Sequence, residues 1–144
     1  MAASARDASR SPRPAECPPV TIGAVRHKAL ENLRAAQALT VGDALCPNAA
    51  VSRAYYAAYH ACWHRLEELG EEVPDDKGYW PHHEFPTYAL RAGAVDEDQS
   101  EFIEHLYSKR LTADYYPEDI QPDEAIELTG RVKEFFARLE VRKG

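Results

Sequence analysis

The stretch that most constrains how this chain can fold runs from residue 52 to residue 64 and reads SRAYYAAYHACWH. Aromatic rings alternate there with alanines, and the charged side chains are basic or titratable. At about 100° per residue, a helix places Arg53, Tyr56 and His60 on one side. The alanines leave little side chain in the way, so another backbone can approach closely. We therefore predict a central helix that packs with one side and presents polar groups on the other.

The composition limits the classes of protein to consider. The chain has 144 residues, 44% of them hydrophobic, and a formal net charge of −7. This length predicts one compact domain. The longest apolar run is far below the roughly 18 residues of a membrane-spanning helix, which predicts a soluble protein with no membrane partner. An acidic chain lacks the cations behind non-specific binding to nucleic acid, so any RNA contact must be local. Three cysteines at unrelated spacings are interpreted as reduced thiols of a cytoplasmic protein.

Two regions of the chain differ in composition. Residues 1–19 are rich in Ala, Ser, Arg and Pro and are predicted to form a disordered N-terminal arm. From 20 to 144, apolar residues recur at every third or fourth position, and no segment alternates as a strand would. The predicted helices run from 21 to about 40, from 48 to about 70, from 86 to 91, from about 96 to 116 and from 122 onward. This pattern predicts an all-α fold, an antiparallel up-and-down bundle of four main helices plus a short extra helix.

Arg53 and His60 form the first candidate site. On a helix they stand two turns apart, about 10 Å along the axis. A guanidinium fork can hold a phosphate, and an imidazole can move protons near neutral pH. Together these groups suffice to cleave RNA without a metal, one at the 2′-hydroxyl or the leaving oxygen and one at the phosphate. An Arg and a His also occur together on ordinary solvated helix faces, which is the alternative interpretation.

The second candidate site lies at residues 106–117, which read LYSKRLTADYYP. Arg110 and Asp114 are four residues apart, as in an intrahelical ion pair worth roughly a few tenths of a kcal/mol. In that interpretation Tyr115 and Tyr116 are core or rim aromatics at the helix end. In the functional interpretation Arg110 is a phosphate-facing cation that Asp114 orients, and the tyrosine hydroxyls line the same cavity.

The histidines allow a third interpretation. His60 and His64 share a helix face, and His82, His83 and Glu84 follow an acidic loop. Two histidines four residues apart can bind zinc, but a metal-dependent hydrolase also needs a third ligand and a positioned base. No spacing in the sequence supplies them, so we predict no metal site and no cofactor.

Two segments together resemble the signature helices of small bacterial and archaeal HEPN-domain proteins. They are SRAYYAAYHA at 52–61 and RLTADY at 110–115. His82 or His83, followed by Phe85, is similar to a further His-and-aromatic feature of that family. The resemblance covers roughly residues 21–141. It implies an up-and-down bundle that pairs as a twofold homodimer, with polar residues of both subunits meeting in a cleft.

The resemblance also implies an activity and a partner. Many HEPN proteins are metal-independent ribonucleases that use an Arg followed, after four to six residues, by a His. Several act as toxins or defence effectors beside a nucleotidyltransferase, which serves as antitoxin and can modify a tyrosine near the site. Arg53 and His60 fit the spacing at its upper limit. On the later helix the chain departs from the motif, because Arg110 is followed by Tyr115 where the nucleases have a His.

Two functional hypotheses follow. The first is an HEPN ribonuclease-type toxin or defence effector that cleaves RNA without metal under the control of a nucleotidyltransferase antitoxin. The second, favoured by the missing His and the acidic chain, is a non-catalytic HEPN module that binds a nucleotide or a protein partner. A homodimer is also expected from the alanine-lined helix and from rings predicted to be exposed, Tyr55, Tyr59 and Trp63.

The candidate site residues fall into three groups, and the catalytic ones are expected to converge on one polar hollow. The candidate catalytic residues are Arg53, His60 and Arg110; the candidate substrate-binding residues are Tyr56, His83, Asp114 and Tyr115; the candidate modification sites are Tyr115 and Tyr116.

Overall fold

The structure is a computed structural model that describes residues 22–74 and 76–143. The helices within them are α1 (Ile22–Ala38), α2 (Pro47–Glu68), α3 (Phe85–Arg91), α4 (Glu97–Tyr115) and α5 (Pro122–Lys143). A single turn of 3₁₀ helix lies at Gly42–Ala44, and no strand occurs in the described ranges. The all-α prediction is therefore confirmed, while the predicted arm at 1–19 lies outside the described residues. None of the described helices is long and apolar enough to cross a membrane.

Helix α2 is the element against which the other long helices are assembled. It packs against α1, α4 and α5. Its alanines at 54, 57, 58 and 61 are at most 6% exposed. Because these side chains are small, the neighbouring backbones can lie close to α2. This agrees with the central position that the sequence predicted for residues 52–64.

The exposure predicted for the rings of α2 is wrong. Tyr55 is fully buried and Tyr59 is 3% exposed, while Trp63 is only partly exposed. Tyr55 and Tyr59 are four residues apart and turn toward the interior, where they pack on each other with ring centroids 5.9 Å apart. These rings belong to the core of the chain, so they give no reason to expect a dimer.

Helices α2 and α3 end in the same hydrogen-bonded turn, and each turn uses a glycine. After α2, Gly70 has a φ of 84° and donates to the carbonyl of Glu67, while Glu71 donates to that of Leu66. After α3, Gly93 with a φ of 82° takes the equivalent place. This arrangement satisfies the last carbonyls of a helix and requires a left-handed residue. The first of these turns directs the chain into the segment 71–84.

Side-chain contacts fix the start of α4 and the start of α2. Asp96 caps α4 by accepting from the backbone N–H of Gln99, whose side chain accepts from the backbone N–H of Asp96. Asn48, in the first turn of α2, donates to the carboxylate of Asp119 and accepts from the backbone N–H of Ile120. The loop before α5 is thereby tied to the N-terminal end of α2.

Candidate functional site

The hydroxyl of Tyr59 holds the backbone of Trp80 against α2. It donates to the carbonyl of Trp80 at 2.6 Å and accepts from the Trp80 backbone N–H at 3.1 Å. Trp80 is 2% exposed, so this clamp lies within the core. Because the clamped residue is two positions before His82, it brings the His82 ring onto the tyrosines of α2.

The ring of His82 is held in one tautomer by the buried hydroxyl of Tyr55. The hydroxyl lies 2.6 Å from His82 Nδ1. Burial raises the pKa of Tyr55, so it is a neutral donor. The buried Tyr55 hydroxyl has no other hydrogen-bond partner among the described residues, and its proton is satisfied only when it donates to Nδ1, which assigns the ring proton of His82 to Nε2. Burial lowers the pKa of His82, and the positive charge of Arg110 and the nearby His60 lower it further.

His60 has the opposite tautomer. Its Nδ1 lies 3.0 Å from the backbone carbonyl of Tyr56, and since a carbonyl can only accept, Nδ1 carries the proton and Nε2 keeps a lone pair. Burial lowers the pKa of His60, the Tyr56 carbonyl raises it, and the positive charge of Lys28 on α1 lowers it. At neutral pH the ring is therefore a neutral base.

His60 and His82 are half-buried, and their Nε2 atoms are left open to a ligand. Neither makes a hydrogen bond to the described residues, and neither is among the buried polar atoms that lack a partner. Both histidine rings pack against the same two tyrosines. Between ring centroids, Tyr56 is 6.3 Å from His60 and 5.9 Å from His82. Tyr59 is 5.3 Å from His60 and 4.5 Å from His82. The ring with the lone pair and the ring with the N–H donor thus belong to one cluster around Tyr56 and Tyr59.

Arg110 is a buried cation enclosed by rings. It is 8% exposed, its Nη2 donates to the Tyr56 hydroxyl at 2.8 Å, and its Nε lies 3.6 Å from the carboxylate of Asp114. The Cζ atom is 5.3–5.8 Å from four ring centroids, those of Tyr55, Tyr56, Tyr107 and Tyr115. Asp114 also accepts from Ser52 on α2. The predicted pair of Arg110 and Asp114 is present, and its cation faces inward rather than toward a ligand.

Arg53 lies on the other side of the site, next to α1. Its side chain is exposed, and its Nη1 donates to Asn32 Oδ1 at 3.2 Å. Lys28, one turn before Asn32, acts on His60. The structure therefore brings Arg110 and His60 into contact with Tyr56 and places Arg53 beside Asn32, so the predicted meeting of Arg53, His60 and Arg110 is not seen as a set of direct contacts.

His83, the candidate substrate-binding residue of the pair at 82 and 83, lies outside the cluster. The side chain of His83 is 73% exposed and lies 3.4 Å from the carboxylate of Glu84, whereas the ring in the cluster is that of His82. The spacing of two adjacent histidines in a loop gives no way to choose between them. The deciding feature is the Tyr59 clamp on Trp80, a contact between residues 21 positions apart in the chain.

The other histidine of α2, His64, lies beside acidic side chains of the same helix. His64 is 3% exposed, and its two nitrogens lie 3.9 Å from Glu67 and 3.5 Å from Glu68. It therefore stands apart from the open Nε2 atoms of His60 and His82. No group of three or more His, Cys, Asp or Glu that could hold a metal ion occurs in the described part of the chain.

Four further residues belong to the cluster and were missed in the sequence: Lys28, Asn32, Tyr55 and Tyr107. The helical period could have placed Tyr55 in the interior, but nothing local indicates which residues of α1 face α2.

Compared with protein-family models and with curated proteins, the chain matches none. The geometry of the site is therefore the basis for its chemistry. It offers a neutral base at His60, a neutral N–H donor at His82, the Tyr56 hydroxyl and an exposed cation at Arg53.

These histidines make the stability of the chain depend on pH. Burial lowers the pKa of both in the folded state, so below their ordinary pKa of about 6.5 the unfolded chain binds more protons. By linkage, this contribution to the free energy of unfolding is complete above that pH and decreases as the pH falls toward the lowered values. We expect the urea midpoint of the wild type to fall more steeply between about pH 7.5 and 5.5 than that of a His60→Asn, His82→Asn double variant. The two share all other titrating groups, and parallel curves would contradict the assignment.

Proposed function

We propose that this protein is a metal-independent endoribonuclease of the HEPN type that acts as a toxin or defence effector. The observation that supports this best is the open lone pair of His60 Nε2, fixed by the bond from its Nδ1–H to the Tyr56 carbonyl. Beside it lies a hydroxyl, that of Tyr56, which accepts from Arg110 and so keeps its own proton free to donate.

In this proposal the reaction is a transesterification within RNA. His60 Nε2 takes the proton of a 2′-hydroxyl, the 2′ oxygen bonds to phosphorus, and the bond from phosphorus to the 5′ oxygen breaks. The leaving oxygen takes a proton from solvent, and His60 later returns its own to solvent. Arg53 and Lys28 stabilise the charge on the phosphoryl oxygens. Arg110 acts as a positioning residue, because it is buried and reaches the substrate only through Tyr56.

The proposal is tested by incubating the purified chain with end-labelled RNA in excess chelator. We expect cleavage that leaves a 2′,3′-cyclic phosphate and a 5′-hydroxyl, and a loss of about tenfold or more in Arg53→Gln, since one cation at the phosphate is removed. Arg91→Gln, on the exposed side of α3, is the matched control and should cleave as the wild type does. Absence of chelator-resistant cleavage would overturn the proposal.

A second candidate is a non-catalytic module that binds a nucleotide or a protein partner. The enclosure of Arg110 favours it, because the cation that the sequence assigned to phosphate is already bonded to Tyr56 and Asp114. The formal charge of −7 also disfavours a long RNA ligand. Under this candidate, calorimetry detects binding of adenine nucleotides while the RNA assay stays blank.

The HEPN likeness extends the proposal to architecture and assembly. We infer an antiparallel up-and-down bundle that forms a twofold homodimer. The support for a dimer is the exposure of Tyr115 and Tyr116, at 68% and 57%, on the end of α4 beside the site. Light scattering at micromolar concentration should give about twice the chain mass of 16.2 kDa, and replacing both tyrosines by Ser should return it toward the monomer. A monomer in the wild type would contradict the inference.

A nucleotidyltransferase antitoxin in the cytoplasm completes the proposal. Such an enzyme needs an accessible acceptor, and Tyr115 and Tyr116 offer their hydroxyls in the single chain, before the proposed dimer covers them. Tyr115 also covers the guanidinium of Arg110 at 5.7 Å. A nucleotide attached there would add a charged group beside the cation that holds Tyr56.

A further inference from the structure

We propose that His82 contacts the substrate as a second group, donating its Nε2–H to a phosphoryl oxygen, and that Tyr55 is the positioning residue that fixes this proton. The inference rests on the proposed ribonuclease function and deepens it. In this role His82 gives the site a neutral donor that binds an oxyanion. Neither the Arg53–His60 pair nor His83 provides such a donor.

The contact with Tyr55 sets the direction of the His82 ring. Nδ1 of His82 points inward to the hydroxyl of Tyr55, whose side chain is fully buried. The two nitrogens of an imidazole point to widely different directions, so Nε2 is aimed away from the core. It has no partner among the described residues and is not one of their buried unpaired atoms. The Nε2–H of His82 is therefore left available to a ligand, and His60 is near enough to lower the pKa of the His82 ring after burial and Arg110.

Neighbouring side chains hold the His82 ring in place. The His82 ring stacks on that of Tyr107 with planes 4° apart and centroids at 5.8 Å, and it lies 4.5 Å from the ring of Tyr59. The clamp on Trp80 fixes the backbone two residues before it. A donor held on both sides in this way loses little conformational entropy when it binds a ligand, which is the condition for effective oxyanion binding.

The charges around His82 favour its neutral ring. The groups that face His82 are the tyrosines and His60 from α2, and Tyr107 and Arg110 from α4. The guanidinium opposes a second positive charge on the imidazole, so the ring stays a neutral donor at the pH where His60 is a neutral acceptor. One ring can then take the 2′-hydroxyl proton while the other binds the phosphoryl oxygen.

The test combines NMR with two matched pairs of variants of the full chain. Nitrogen-15 spectra should show an Nε2–H tautomer for His82 and an Nδ1–H tautomer for His60. In Tyr55→Phe, which removes one oxygen, His82 should change to a mixture of tautomers while His60 stays as it is. His82→Gln, which keeps an N–H donor near the Nε2 position, should retain more cleavage than His82→Asn, which places its amide near Nδ1, by about tenfold.

A 2′-deoxy dinucleotide, which cannot be cleaved by this reaction, separates the two proposals. It should shift the His82 Nε2–H signal in the wild type and shift it less in Tyr55→Phe. If it does so while RNA is never cut, the ribonuclease proposal fails and the donor role of His82 stands. An Nδ1–H tautomer in the wild type, an unmoved His82 signal, or absence of any binding would overturn the inference, even in a protein that cleaves RNA.

Discussion

His60→Gln is expected to lower chelator-resistant RNA cleavage by at least about 100-fold. In the folded chain Nε2 of His60 holds a lone pair because Nδ1–H is bonded to the Tyr56 carbonyl. A glutamine amide cannot accept a proton from a 2′-hydroxyl at neutral pH, so the general-base contribution is lost. The measurement is the single-turnover rate on labelled RNA, with folding checked by circular dichroism.

The matched control for this prediction is His105→Gln. His105 is an exposed residue of α4, so the same change of side chain should leave the rate within about twofold. The pH profile adds an independent readout: burial lowers the pKa of His60, and only the neutral ring accepts a proton, so the acid limb of the rate should lie below the ordinary histidine value of about 6.5. An His60→Gln rate within threefold of the wild type would exclude His60 as the base.

The role that the sequence suggests for Arg110 differs from the one it has in the catalytic proposal. As a phosphate ligand it would have to leave the Tyr56 hydroxyl and the ring of Tyr115, and a buried guanidinium loses those contacts at a cost. As a positioning residue it stays where the structure has it and acts through Tyr56 and His82. The second use needs no rearrangement, which is why the catalytic proposal assigns substrate contact to Arg53, His60 and Tyr56 instead.

Periodicity and end signals were sufficient to predict the helices, but not the surroundings of the site. The 3.6-residue period placed Arg53, Tyr56 and His60 on one face of α2, and the predicted end near 91 and start near 96 agree with α3 and α4. Such local rules depend on neighbours within one or two turns. The predicted Arg110–Asp114 pair is of this kind and is present.

The rest depended on contacts between distant segments. His82 rather than His83 enters the cluster because Tyr59 holds the backbone of Trp80, and Arg110 is enclosed because α2 and α4 bring four rings around it. The tautomers of both histidines are set by a carbonyl and a hydroxyl whose positions follow from that packing. No pattern along the chain encodes these partners.

Leu128→Ala is expected to lower the free energy of unfolding by about 2–5 kcal/mol. Leu128 is 1% exposed and lies in α5, which packs against α2. Removing most of a buried leucine forfeits its transfer free energy and leaves a cavity that the close-packed neighbours fill only in part. Urea unfolding at a fixed pH above 7 measures the change and avoids the histidine titration.

Ile126→Ala is the matched control for Leu128, two positions earlier in the same helix. An aliphatic stripe in the sequence would place both residues inside, yet Ile126 is 49% exposed, because two residues on a helix differ by about 200°. It should therefore cost no more than about 0.5 kcal/mol. Equal costs for the two variants would contradict the orientation of α5, in which Leu128 is buried and Ile126 is exposed.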